Sequence, residues 1–360
     1  MTDTAITRVR HQDINAILQP RTERRQPLDG FDDCYSDIVH YIAYCTHRIW
    51  AERAIGLIYT HYDPAVSINT PYGVASSVET VIASTFAMLQ SFPDRESRLV
   101  NVAWTGNAVD GFYTSHFGAS SMTNLGPSAY GPATGRRVHI RHCADCQIRN
   151  NEIFNEWLVR DNGALVRQLG FDPVEVAQAL AAADAASGVK PVVAGMPERS
   201  QGQRLPVALD TPCATRQDRV RHLLHDVWNR RLLDRLAAHY DPACRVHTAP
   251  GRELTGVEGL SWYVIRMIAA FPDCELRIEH MCEVQETDGP IVAVRWTLVG
   301  THRGAGMFGS ASGKVVTIMG MSHFRFAGEQ DDARIVEEWT VFDEIAVLKQ
   351  IHAVANAVAI

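Results

Sequence analysis

His47-Arg48-Ile49-Trp50 followed by His61-Tyr62-Asp63-Pro64, and later His225-Asp226-Val227-Trp228 followed by His239-Tyr240-Asp241-Pro242, are the stretches that decide the fold. The interval from tryptophan to histidine is 11 residues in both. Working outward, Phe92-Pro93-Asp94 recurs as Phe271-Pro272-Asp273, and Gly135-Arg136-Arg137-Val138 as Gly313-Lys314-Val315-Val316. Ile153-Phe154-Asn155-Glu156-Trp157 recurs as Ile335-Val336-Glu337-Glu338-Trp339, and an aspartate follows each tryptophan, Asp161 or Asp343. Order and spacing survive together at a period of about 180 residues, far longer than a solenoid repeat. The 360 residues are therefore one domain duplicated.

Each copy opens with helical periodicity and closes with alternation. Ile38, Ile42, Cys45 and Ile49 fall on one helical face. A second helix is expected up to the His-Tyr-Asp-Pro turn, then a short strand (65–70; 243–248) and a helix that proline stops at Phe-Pro-Asp. Period-two runs follow at 98–104, 111–117, 138–149 and 153–159, and again at 276–284, 291–301, 315–326 and 335–341. Helices first and antiparallel strands after give an α+β domain: a curved sheet covered by its helices, a cone with an open mouth suited to a small molecule. The expected boundaries are an arm at 1–30, a first domain at 31–172, a helix and linker at 173–214, a second domain at 215–352 and a tail at 353–360. The linker reading rests on the Pro/Gly-rich, aperiodic stretch from Lys190 to Pro212.

Composition narrows the function. With 34 Lys+Arg against 41 Asp+Glu, the net charge of −7 argues against a protein built to grip phosphate backbones. No apolar run reaches a membrane span, and Met1–Arg10 lacks a signal-peptide core, so a cytoplasmic protein is expected. Eight scattered cysteines require no disulfide framework, and Cys143-x-x-Cys146 sits in a strand with no second ligand pair, so buried inert thiols are expected. No phosphate loop, dinucleotide fingerprint or zinc helix is present; no cofactor and no metal are invoked.

These features carry a resemblance. The helix with Thr46-His47-Arg48-Ile49-Trp50, the strand Ser67-Ile68-Asn69-Thr70-Pro71-Tyr72-Gly73, the hairpin Ala144-Asp145-Cys146-Gln147-Ile148-Arg149 into 153–157, and the tail Val159-Arg160-Asp161-Asn162 to Arg167-Gln168-Leu169-Gly170 resemble nuclear transport factor 2-like folds. Within them the pattern is most similar to the SnoaL-like polyketide cyclases, or ester cyclases, over about 31–172 and 215–352. The resemblance implies two tandem cone-shaped α+β barrels, paired within one chain as a pseudo-dimer. It leaves function open, because the superfamily hosts cyclases, isomerases, dehydratases, lyases and non-catalytic binders.

In these cyclases an aspartate on the closing hairpin is the acid/base, which the resemblance places at Asp145; the second copy has His323 there. Either that histidine takes over the role or the second copy is a structural partner. Taken by itself, Asp145 is either desolvated in the cone with a raised pKa or paired with Arg141 or Arg149. His116, set against His302, is either a proton shuttle or a core histidine. Asn69 (His247 in copy two), Tyr72, Trp157, His47, Trp50, Asp161 and Asp343 are further candidates to contact substrate. Counting from His116 and His302 to the following glycines, copy one carries a longer loop with Tyr130, which points to copy one as the catalytic half.

The resulting expectation is a cofactor-independent small-molecule enzyme. It uses general acid/base chemistry next to a carbonyl, as a cyclase, isomerase, dehydratase or lyase, with Asp145 and His116 as catalytic residues. The alternatives are a non-catalytic binding or assembly module and a hydrolase. Partners are a small-molecule substrate, with neither nucleic acid nor membrane; a homo-oligomer is compatible with the sequence.

Overall fold

The computed structural model describes residues 6–19, 21, 23–189, 206–329 and 332–353. Linker residues 190–205 and tail residues 354–360 lie outside that range. Two compact units emerge. Each is built on a six-stranded sheet.

The first sheet contains β1 (Tyr62–Thr70), β2 (Gly73–Ser76), β3 (Glu96–Asn107), β4 (Gly111–Thr123), β5 (Arg137–Arg149) and β6 (Glu152–Arg160), in the order β2-β1-β6-β5-β4-β3. The second contains β7 (Tyr240–Thr248), β8 (Arg252–Thr255), β9 (Glu275–Glu286), β10 (Gly289–Thr301), β11 (Val315–Ala327) and β12 (Arg334–Phe342), in the order β8-β7-β12-β11-β10-β9. The same order in both halves is the duplication expressed in three dimensions. Both sheets are open and mixed rather than closed antiparallel barrels, because β1 runs parallel to β6 and β7 to β12. No hairpin joins those partners, so nothing forces them antiparallel.

The His-Tyr-Asp-Pro motif is not a turn. Helix ends at His61 and His239, and the strand begins at Tyr62 and Tyr240. Register slips between Tyr62 and Ser67. Pro64 falls inside that irregularity, where its missing N–H breaks no regular ladder.

The first core forms where the helix Ile38–Trp50 buries Ile38, Ile42, Cys45 and Ile49. Asp37 caps this helix, accepting from the His40 amide at 2.9 Å and from the Thr7 hydroxyl at 2.7 Å. Val9, Ile17 and Leu28 join the same core, so the described part of the 1–30 arm is packed on the first domain. This compact unit also takes in Cys282–Ala293. There Cys282, Val284, Ile291 and Ala293 pack around Ala103 of β3. The helix Pro173–Ala186 starts at Asp172, which accepts from the Val174 and Glu175 amides.

Strand positions also correct the pairing of the two copies. The connection from β4 to β5 is 124–136 and that from β10 to β11 is 302–314, equal in length. His302 bonds its backbone to Lys314 and Gly313 just as Asn124 bonds to Arg136 and Gly135. His302 is therefore the counterpart of Asn124, and His116 that of Val294. The longer loop inferred for copy one came from aligning two unrelated histidines.

Asp161 and Asp343 act as helix caps. Asp161 accepts from the Ala164 amide at 3.0 Å, and Asp343 from the Ile345 and Ala346 amides at 2.9 and 3.3 Å. Asp161→Ala is expected to lower the unfolding free energy by about 1 kcal/mol in urea denaturation, and Asp161→Asn by less. Unchanged stability in D161A would remove the capping role.

Candidate functional site

Alternation along β5 sorts the site residues onto two faces. His142, Ala144 and Cys146 face the cavity under the Ile38–Trp50 helix. Arg141, Cys143 and Asp145 take the opposite face. Partners directly across the ladder share a face, so His116 (opposite Ala144) joins the first set, and Ser115 and Trp157 (both opposite Asp145) join the second. Cys143 and Cys146 thus point to opposite sides of the sheet.

Asp145 does not point into the cavity. It is buried on the reverse face, where it accepts a hydrogen bond from the Tyr113 hydroxyl. Tyr113 in turn lies 6.3 Å from Trp157. His323 occupies the same position in β11, opposite Trp339 as Asp145 is opposite Trp157. The position matched to the family's aspartate therefore differs in facing from the expectation drawn from it.

The cavity in the first domain measures about 40 Å3. Thr46 and Trp50 of the first helix, Tyr62 of β1, Arg95, His116 of β4, His142 of β5, and Glu156 and Arg160 of β6 supply its polar and aromatic lining. The Tyr62 hydroxyl donates to Glu156 Oε2 at 2.9 Å. Burial pushes the Glu156 carboxyl above its ordinary range, while the bond from Tyr62 and the charge of Arg160 pull the other way.

His116 is 6 % exposed, and burial drives its pKa down to about 4, so it is neutral. His142 is held well below its ordinary value by burial, reinforced by Arg95 and Arg160. Nδ1 of each histidine is buried without a hydrogen-bond partner. His142 lies so close over β4 that a Cβ at Gly118 would stand 2.5 Å from its Nε2. Arg95 stacks on Trp50, 5.5 Å from the ring centre, and donates from Nε to Ser120 Oγ at 3.3 Å. Burial lowers its pKa to about 9.

The second domain has a cavity of the same volume, about 40 Å3, with a different interior. Trp296 donates to Ser322 Oγ at 3.0 Å, Ser322 bonds Thr340 at 2.7 Å, and Thr340 donates to Glu338 at 2.5 Å. Tyr240 donates to the other oxygen of Glu338, also at 2.5 Å. This chain of donors ends on one carboxylate. Tyr240 and Glu338 repeat Tyr62 and Glu156, but the positions of Arg95, His116, His142 and Arg160 hold Cys274, Val294, Gly320 and Phe342.

Of the other expected site residues, Trp50 lines the cavity. His47 lies on the same helix, 3.6 Å from Glu52, and is not part of the lining. Asn69 is paired with Trp157 on the reverse face and donates to Asn155 at 2.8 Å. Tyr72 sits in the turn between β1 and β2, and Tyr130 in the β4–β5 loop; neither lines the cavity. His247 stacks on Trp339 at 5.5 Å and bonds Glu253 and Glu337. His302 bonds Ser312 at 3.1 Å within its loop. Arg95, His142, Glu156, Arg160 and Tyr62 were missed. The available signal was parity: stepping by two from His116's partner Ala144 gives His142 and Cys146, both in the cavity lining.

Residues 218–351 match the family model described as SnoaL-like polyketide cyclase. Among solved structures, a candidate SnoaL-like polyketide cyclase from Jannaschia sp. CCS1 is 22% identical, with 41% of this chain and 99% of that chain covered and a TM-score of 0.35. IdmH, a candidate polyketide cyclase from Streptomyces antibioticus, is 25% identical over 38% of this chain and 96% of its own, with a TM-score of 0.31. A protein with a ketosteroid isomerase-like fold from Catenulispora acidiphila, in complex with trimethylamine, is 17% identical over 36% and 90%, with a TM-score of 0.30. No curated protein matches the chain in sequence. Among the described residues no helix is long and apolar enough to cross a membrane.

Neutral burial of His116 has a measurable consequence. Between pH 6.5 and about 4 the unfolded chain takes up a proton that the folded chain does not. Stability is therefore lost as pH falls through that window. His116→Val, which installs the residue of the second domain, is expected to shrink the drop in unfolding free energy between pH 7.5 and 4.5 by about 2–3 kcal/mol. An undiminished drop in H116V, measured by urea denaturation, would contradict the neutral assignment.

Proposed function

We propose that the first domain is a small-molecule enzyme in which Glu156, rather than Asp145, moves the proton. The observation that carries this reading is the contrast between the two interiors. A buried polar atom without a partner costs on the order of 1–3 kcal/mol. The cavity lining of the second domain avoids that cost with a continuous hydrogen-bond chain, whereas that of the first keeps two histidines with unpartnered nitrogens beside a carboxyl. A site that bears this cost is one whose partners arrive with a ligand.

The chemistry follows from the protonation states. A carboxyl whose pKa burial raises is a stronger base than an ordinary carboxylate, which suits abstraction and return of a proton at carbon. Tyr62 fixes one carboxyl oxygen by hydrogen bonding. Neutral imidazoles at His116 and His142 offer a ring N–H to the oxygen on which charge develops next to that carbon. This is proton transfer adjacent to a carbonyl, common to cyclisation, isomerisation and β-elimination. The family similarity itself lies in the second domain, residues 218–351, and reaches the first only through the shared strand order.

The cavity of about 40 Å3 holds only a few water molecules. Entry of a substrate therefore requires the lining side chains to rearrange. The second domain, whose polar cavity lining is hydrogen-bonded throughout, acts as a non-catalytic module.

The test is proton exchange at carbon. Incubation with 1,3-dicarbonyl probes in D2O, followed by 1H NMR, is expected to show exchange above the buffer rate. Glu156→Gln should reduce it at least a hundredfold. Asp145→Asn and Glu338→Gln should change it less than threefold. Exchange that survives in E156Q and vanishes in D145N would overturn the assignment. Exchange absent from the intact chain with every probe would favour ligand binding without turnover.

A further inference from the structure

Arg95 is 8 % exposed and forms no ion pair among the described residues. It contacts the Ser120 hydroxyl and the face of Trp50. Arg160 lines the same cavity and likewise forms no ion pair among the described residues. The two guanidinium groups repel one another across the cavity. Glu156, the one acidic side chain of the lining, directs an oxygen to Tyr62 and bonds neither arginine.

A buried cation without a counter-charge is among the most costly arrangements a fold can hold. Two in one cavity, opposed by a single carboxyl, leave a standing positive charge. Proton transfer alone does not call for it. Charge that develops only in the transition state is served by the neutral imidazoles, whereas a permanent cation pair matches a permanent anion. The second domain supports the distinction, since it keeps the Tyr–Glu pair but has Cys274 and Phe342 in place of the arginines.

We infer that the ligand of the first cavity is a small organic acid whose carboxylate is held by Arg95 and Arg160. The inference rests on the proposed acid/base site and names its substrate class. The carboxylate is the group by which the substrate is bound and oriented, and the carbon deprotonated by Glu156 lies elsewhere on the same molecule. The nearby unpartnered nitrogens of His116 and His142 are free to donate to a second oxygen.

The test uses the full chain with 13C-labelled acetate as the anionic probe and acetamide as its neutral counterpart, at constant ionic strength and followed by NMR line broadening. Acetate is expected to bind saturably and at least tenfold more tightly than acetamide. Arg95→Met and Arg160→Met should each weaken acetate at least tenfold and leave acetamide unchanged. Arg137→Met, a surface arginine paired with Asp94 at 3.5 Å, should leave both unchanged. Arg160 is only partly buried, so R160M decides the matter if R95M does not fold.

Equal binding of the two probes, indifferent to both substitutions, would overturn the acid inference and leave the ligand site standing. Loss of acetate binding in R137M would assign the signal to surface charge and overturn it as well. Absence of any binding, with Glu156-dependent exchange intact, would remove the acid inference alone; absence of both would remove the acid/base site.

Discussion

A buried tyrosine hydroxyl donating to a buried glutamate is the contact on which both domains are built. Tyr62 reaches Glu156 and Tyr240 reaches Glu338, in each case joining the strand that enters the sheet to the strand that closes it. Those strands run parallel, with no hairpin between them and an irregular register at the entry. Their pairing therefore depends on side-chain contact as well as on the ladder. The bond also defines the inner face: the carboxyl is covered by the first helix, and Leu158 and Arg160 of β6 and His142, Ala144 and Cys146 of β5, in phase with it, line the cavity. A carboxyl in this place costs too much to keep without its donor, which is why the two residues act as a unit.

From that shared bond the two interiors diverge. In the second domain the free oxygen of Glu338 accepts from Thr340, and donors continue outward through Ser322 to Trp296. Low dielectric strengthens such a chain as long as no member is missing. In the first domain Leu158 and Ala144 stand where Thr340 and Ser322 would relay the bond, so the second oxygen of Glu156 is left to its surroundings. Burial raises the carboxyl in both halves, but only in the second do two hydroxyl donors reach it. The difference lies in the neighbours, not in the glutamate.

The duplication, the helices-then-strands order and the burial of the first helix were legible in the sequence, because each leaves a period or a repeated phrase. The parallel strand pair was not, since period two is the same whichever way a partner runs. The site was less legible for two separate reasons. The family resemblance directed attention to Asp145, but the parity of β5 sends it to the face opposite His142. Matching His116 with His302 by their flanking residues slid the repeat by several positions, which manufactured a longer loop and hid Val294 and Asn124 as the true counterparts. Local likeness of a few residues cannot fix a strand register; the spacing of the whole hairpin can.

The most informative divergence is an exchange of volume across the ladder. In the first domain Gly118 on β4 makes room for His142 on β5, directly opposite it. In the second the positions are reversed: Trp296 on β10 fills the layer, and a Cβ at Gly320 on β11 would stand 2.1 Å from its ring. One ring per layer is what the close-packed space allows, so a ring on one strand demands a glycine on the other. Packing is thereby conserved while chemistry is not. The indole can only donate, and Ser322 accepts from it. The imidazole carries two nitrogens, one of them unpartnered in the cavity wall. The ring changes strand and chemistry between the halves while the sheet and its Tyr–Glu anchor stay unchanged.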